Sequence, residues 1–166
     1  ATETLTRRAF AGELAAPAFL RQGAKNTRGV ILLIGDDHSP VAGCYGNRVI
    51  ATPHLDGLAA RGVRFSHAFC TTASCSASRS VILTGLHNHA SGQFGHAHAP
   101  HNFHTHERIL SIPRLGRAQG VFSGVIAKLH VNPPLVYPFD FTGSGAGDFG
   151  RNVPGIAQAA AEFLKK

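Results

Sequence analysis

The 166-residue sequence has no tryptophan, no methionine, two tyrosines and only nine acidic residues. Charged side chains make up 15% of it against 43% hydrophobic, so it lacks the charge of a disordered chain, and it carries no collagen-like or heptad repeat. Long apolar runs are missing too. The longest uninterrupted one, Val30 to Ile34, falls far short of the roughly 20 residues that cross a bilayer as a helix, which excludes a membrane span. Three cysteines, Cys44, Cys70 and Cys75, are too few and too odd in number for a disulfide scaffold. Cys44 and Cys70 could still pair in an exported protein. Burial as small hydrophobes is the plainer reading, and it suits Cys70 in an apolar strand but not Cys75.

A chain of this length makes one domain that can bury roughly 70% of its unfolded surface. The net charge of +7 is uneven. Residues 1–28 hold five basic residues against Glu3 and Glu13, and the rest of the surplus is scattered. Without a Lys/Arg block and interleaved aromatics, the charge points away from nucleic acid and toward a small anionic substrate. Thr6-Arg7-Arg8-Ala9-Phe10, then a mildly apolar stretch to Leu20 with Ala16-Pro17-Ala18 inside it, resembles a twin-arginine export signal and a cleavage site. Residues 1–28 are therefore expected to be an export signal or a disordered tail, with a periplasmic or extracellular destination.

From Gly29 onward, strands and helices alternate. Val30-Ile31-Leu32-Leu33-Ile34 has the continuous apolar character of a strand covered on both faces. Pro53 to Arg61 is predicted as a helix, with Thr52 as N-cap, Pro53 at its first position and Gly62 beyond its end. Val63 to Cys70 alternates as a strand. Ser76 to Leu83 has helical spacing and Gly85 as its stop, which puts Cys75 at or just before a helix N-terminus. Ile109 to Gln119 is predicted as a helix, Val121 to Ile126 as a buried strand, Asn132 to Gly155 as a Pro/Gly-rich loop, and Ile156 to Lys166 as a last helix. This alternation implies an α/β layered fold with a largely parallel sheet, whose strand ends would gather Asp36, Asp37, Lys128 and His130 at one edge.

Cys75-Ser76-Ala77-Ser78-Arg79 carries the sharpest signal. A side chain at a helix N-terminus meets free N–H groups and the positive end of the dipole, and an arginine one turn later adds a cation for an anionic ligand. Two adjacent carboxylates, Asp36 and Asp37, next to an apolar run are costly unless a cation neutralises them, and hard oxygen donors suit Ca²⁺ or Mg²⁺. Standing alone, His130 reads as a core histidine and Lys128 as a surface charge. Their joint spacing from Cys75 favours a site.

Ile34-Gly35-Asp36-Asp37, Ala51-Thr52-Pro53-His54-Leu55-Asp56, Ala68-Phe69, Cys75-Ser76-Ala77-Ser78-Arg79, Leu83-Thr84-Gly85-Leu86 and Lys128-Leu129-His130 resemble the type I sulfatases in order and spacing, from about Gly29 to Phe141. Within that family, Tyr137-Pro138-Phe139-Asp140-Phe141 and the preceding loop look most like the N-sulfoglucosamine sulfohydrolase branch. The resemblance implies an alkaline-phosphatase-like fold in which Asp36, Asp37 and a modified Cys75 bind Ca²⁺. Cys75 would be converted to formylglycine by a formylglycine-generating enzyme, and its hydrate would attack sulfur. Arg79 would hold the hydrate, while Lys128 and His130 would contact the sulfate and help the leaving group depart. Ala77 stands where the family's maturation motif usually has Pro.

The implied reaction is hydrolysis of a sulfate ester or sulfamate on a saccharide. A phosphodiesterase or phosphonate monoester hydrolase of the same superfamily is the rival enzyme. Family members are several hundred residues long, with a further Asp-Asn metal pair downstream. Residues 29–166 are accordingly expected to be the N-terminal part of such a catalytic domain, with an incomplete sheet and no turnover by themselves.

Seven of the eleven histidines lie between His87 and His106. Such density suits a transition-metal module, a solvated polar loop or a loop lining a substrate pocket, and its spacing matches no structural zinc pattern. A non-catalytic His-rich metal-binding protein is the reading outside enzymes. The family resemblance favours a substrate-lining loop, with His98 as the substrate contact.

Overall fold

The computed structural model describes residues 29–143 and 152–166. The export-like segment and residues 144–151 of the expected loop lie outside the described residues. The chain divides into two compact units, residues 1–38 and 39–166.

In the first unit, the Val30 to Ile34 run forms no strand, and its side chains are exposed, Val30 by 94%. The expected covered strand is thus not formed. Apolar character creates a central strand only where ladder partners and packed layers flank it, and the one ladder among the described residues joins two other segments. The run leads into a turn at Asp36 and Asp37. Asp37 has φ 52°, in the left-handed region that a short polar side chain tolerates.

The second unit opens with a 3-10 turn at Gly43–Tyr45 and helix α1, Pro53–Arg61. Proline at the first helical position has no N–H to leave unsatisfied, and its φ is already helical. Thr52 occupies the N-cap position but makes no side-chain cap. Its hydroxyl instead accepts from the Gly43 N–H at 2.8 Å and donates to Asp56 Oδ1 at 3.0 Å. Asp56 Oδ1 also accepts from the Cys44 N–H at 2.6 Å. A Cβ on residue 43 would sit 2.5 Å from Asp56 Oδ2, so the close approach requires glycine. The strand expected over residues 63–70 is absent: Val63, Phe65 and Phe69 are exposed, and Cys70 is an exposed thiol rather than a buried hydrophobe.

Helix α2, Cys75–Thr84, ends where Gly85 turns to φ 68° and donates to the Val81 carbonyl at 2.8 Å. The short α3, Asn88–Ser91, follows. Helix α4, Ile112–Ala118, starts at Ser111, whose hydroxyl accepts from the Arg114 N–H. It begins three residues later than expected because Ile109 packs in the core with Val131, Val136 and Tyr137, flanked by Leu83, Leu129 and Phe139. Val136 is fully buried, and burial of a side chain of this size stabilises by roughly 1.5–3 kcal/mol.

Of the expected strand at residues 121–126, only Gly124–Val125 forms β1. It pairs in parallel with β2, Phe141–Thr142, inside the segment expected to be loop. Helix α5, Val153–Phe163, begins earlier than expected because Asn152 caps it, accepting from the Gly155 N–H. Phe163 lies against the rings of Phe122 and Phe141 at 5.7 and 5.5 Å. A parallel pair with a helix on it is the α/β class expected from the alternation.

Candidate active site

Cys75 is the first residue of α2 and is half-buried. From there the helix turns Ser76, Ala77, Arg79 and Ser80 inward. Arg79 is 8% exposed, and its guanidinium Nη1 donates to the Lys128 carbonyl at 2.6 Å. That bond anchors the loop after β1 on the helix and brings the Lys128 ammonium to 3.4 Å from Cys75 Sγ. The loop is strained as well as anchored, since Ala127 and His130, on either side of Lys128-Leu129, have φ 67° and 55°.

His130 Nε2 and His98 Nδ1 are hydrogen-bonded at 2.7 Å, their rings nearly coplanar and 4.9 Å between centroids. His96 stacks on both, 4.8 Å from His98 and 5.8 Å from His130. Burial, then the charges of Lys128, His98, His96 and Arg79, hold the His130 imidazolium below the ordinary histidine pKa.

The structure thus gathers Cys75, Arg79, Lys128, His130 and His98 in one place. Asp36 and Asp37 belong to the other compact unit, where both are exposed. Their adjacent carboxylates are a donor set of hard oxygens that fits Ca²⁺ or Mg²⁺. The three cysteines are free thiols, so Cys44 and Cys70 are not paired.

The sequence reading missed the residues that hold this arrangement. Ser76 Oγ, wholly buried, accepts from the Ala97 N–H at 3.0 Å, and Asn132 Nδ2 donates to the Ala97 carbonyl at 3.3 Å. Ala97 is clamped on both polar groups, which fixes His96 and His98 beside it. Asn88 Nδ2 donates to the carbonyls of Ala77 at 2.9 Å and Gln93 at 2.7 Å, while its Oδ1 accepts from the hydroxyls of Thr71 and Thr72. Gln93 Nε2 closes the histidine loop by donating to the carbonyls of Gly95 and Phe103. Thr105 and Tyr137 share a buried hydrogen bond of 2.6 Å that ties the far end of that loop to the core. Burial raises the Tyr137 phenol above its ordinary pKa despite that bond. The signal for His96 in the sequence is the density of histidines between His87 and His106.

Comparison with known proteins adds a family match and three relatives. A family model described as "Sulfatase" matches residues 28–155. An N-sulphoglucosamine sulphohydrolase of Homo sapiens is 41% identical over 142 residues, 83% of this chain and 28% of that protein. An ulvan-active sulfatase of Formosa agariphila is 34% identical over 114 residues, 67% of this chain and 22% of the relative. An N-acetylglucosamine-6-O-sulfatase of Bacteroides thetaiotaomicron is 32% identical over 103 residues, 61% of this chain and 18% of the relative. The chain thus spans about a quarter, or less, of the length of these relatives.

Proposed function

The chain belongs to the sulfatase family, with its alkaline-phosphatase-like α/β fold, and we propose that it carries the nucleophile-bearing part of an enzyme that hydrolyses a sulfate ester or sulfamate on a saccharide. The observation that supports this most is the approach of Lys128 Nζ to Cys75 Sγ at 3.4 Å, with Arg79 bonded to the Lys128 carbonyl. A nucleophile position at a helix N-terminus is thereby accompanied by two basic side chains, the surroundings that a transferring sulfuryl group requires.

In this reading Cys75 is matured to formylglycine by a formylglycine-generating enzyme, and Asp36 and Asp37 would supply hard oxygen donors to Ca²⁺. The matured residue would supply a hydrated aldehyde as nucleophile, and the ion would supply positive charge. The chain's own side chains do the rest. Arg79, buried and fixed by its carbonyl acceptor, holds the position of residue 75. Lys128 draws the sulfate oxygens toward that residue and stabilises charge that grows on them. His130 contacts the sulfate and moves a proton to the departing oxygen or nitrogen, a task helped by an imidazolium that releases its proton more readily than an ordinary one. His98, hydrogen-bonded to His130, lines the saccharide side. Export through the Arg7-Arg8 segment is part of the same reading.

The test is an assay of the gene product carrying this chain, produced with the maturation machinery, on N-sulfoglucosamine, an aryl sulfate and a phosphodiester. Release of sulfate is expected, lost in Cys75→Ala, with an aldehyde or its hydrate at residue 75 by peptide mass spectrometry. Preferential cleavage of the phosphodiester would transfer the chain to the rival enzyme class. Full activity with an unmodified Cys75 would overturn the mechanism.

A further inference from the structure

We propose that His96, His98 and His130 form a binding site for a nitrogen-preferring divalent transition-metal ion, Zn²⁺ above all. Each ring offers one nitrogen, and the three nitrogens lie within 4.8 Å of one another. Zinc bonded to imidazole at about 2.0–2.1 Å in tetrahedral geometry needs its donor nitrogens about 3.3 Å apart. The widest separation has therefore to close by about 1.5 Å, within the reach of small side-chain rotations. One pair, His98 Nδ1 and His130 Nε2, is already at 2.7 Å and has only to exchange its hydrogen bond for the metal.

Three further observations favour an ion here. The first is preorganisation: the Ala97 clamp on Ser76 and Asn132 fixes the backbone between His96 and His98, so little loop ordering is left for binding to supply. The second is that His96 Nδ1 is buried without a hydrogen-bond partner among the described residues, and such a group gains from a bond that only an incoming species can make. The third is access, since His98 is exposed while its two neighbours are half-buried, which leaves a solvent-facing side for entry and for a water as fourth ligand.

The donor set also decides which ion. Three imidazoles without a carboxylate give no charge compensation to Ca²⁺ or Mg²⁺ and match the preference of zinc, copper and nickel. The site is thus chemically complementary to the Asp36-Asp37 pair. An ion on the triad withdraws His98 and His130 from the substrate, a consequence that rests on the function proposed above, whereas the binding itself does not.

The experiment titrates the metal-free 166-residue chain with Zn²⁺ against a chromophoric chelator, with His98→Ala, His96→Ala and the double variant His87→Ala/His89→Ala alongside. His87 and His89 also stack, at 5.6 Å, and so represent a rival pair. One equivalent is expected to bind, weakened about tenfold or more by His98→Ala and by His96→Ala, and unchanged in the double variant. Because His98 is exposed, its removal tests the ligand without emptying the core, and circular dichroism checks that each variant keeps its helices. Co²⁺ in place of zinc should give the intense visible absorption of a four-coordinate site. Several equal, weak sites, a loss confined to the His87/His89 variant, or only the faint absorption of six-coordinate cobalt would overturn the proposal.

Discussion

Residues 43–70 and 71–137 of the same unit are both organised by polar side chains, but those side chains act over different distances. In the first region, Asp56 and Thr52 bond to backbone groups no more than twelve residues away. They fix one turn against one helix and leave Val49, Val63, Phe65 and Phe69 exposed. In the second, Asn88, Ser76, Arg79 and Ser111 reach partners up to 49 residues away and lie among fully or nearly buried groups. A polar group removed from water is costly unless satisfied, so in the second region each bond is a condition for the packing around it. The site sits where side-chain bonds join distant segments.

The sharpest way to break this contrast is Asn88→Ala. It removes five hydrogen bonds, two of them to the carbonyls of buried Ala77 and Gln93, and should destabilise the chain by about 3 kcal/mol, read from chemical denaturation. Loss no larger than for an exposed position would mean that Asn88 is not a hub. Asp56→Ala, in the local region, should cost only about 1 kcal/mol, because water can replace the carboxylate at a half-buried turn. Equal effects from the two would erase the distinction.

Asp140 sharpens the comparison through pH. Hydrogen bonds from the Ser123 N–H first, then the Arg117 guanidinium, hold its carboxyl below the usual carboxylate pKa, in an exposed pair of 2.7 Å. An acid whose pKa is lowered on folding contributes stability that is complete above its unfolded value near 3.8 and fades as pH falls through the folded value. Asp140→Asn should therefore lower stability slightly at pH 7, leave it unchanged below the folded pKa, and so flatten the acid limb by that same small amount. A large loss at pH 7 would show that the pair does more than an exposed ion pair can. The smallest effect belongs to Phe69→Ser: with a ring 92% exposed, it should shift stability by no more than about 0.5 kcal/mol. A larger destabilisation would reveal packing in the local region.

The two regions also differ in how far their structure could be read from sequence. Helix α1 follows from Thr52-Pro53 and Gly62, and α2 from apolar spacing closed by Gly85, because helix signals are local. Strands at residues 30–34 and 63–70 were misread, since apolar alternation records a tendency to be buried and says nothing of the partner that makes a ladder. Even at residues 121–126 the ladder stops after Gly124 and Val125, the length that Phe141 and Thr142 can match. The nearness of Cys75, Lys128 and His130 was legible from their joint spacing and from the resemblance to the sulfatases, not from helix or strand signals. Asn88 and Gln93 were invisible, as neutral amides acquire a role only when carbonyls from other turns converge on them.

The left-handed backbone at Ala127 and His130 bears on how this loop can be improved. Each position costs roughly 1 kcal/mol relative to a residue without a β-carbon. At Ala127 the methyl carries no chemistry, so glycine there would relax the fold at the risk only of a floppier chain when unfolded. At His130 the same relief would delete the imidazole. Strain in this loop is thus divided into a part that an engineer can remove and a part bound to the chemistry, and the boundary between them falls within four residues.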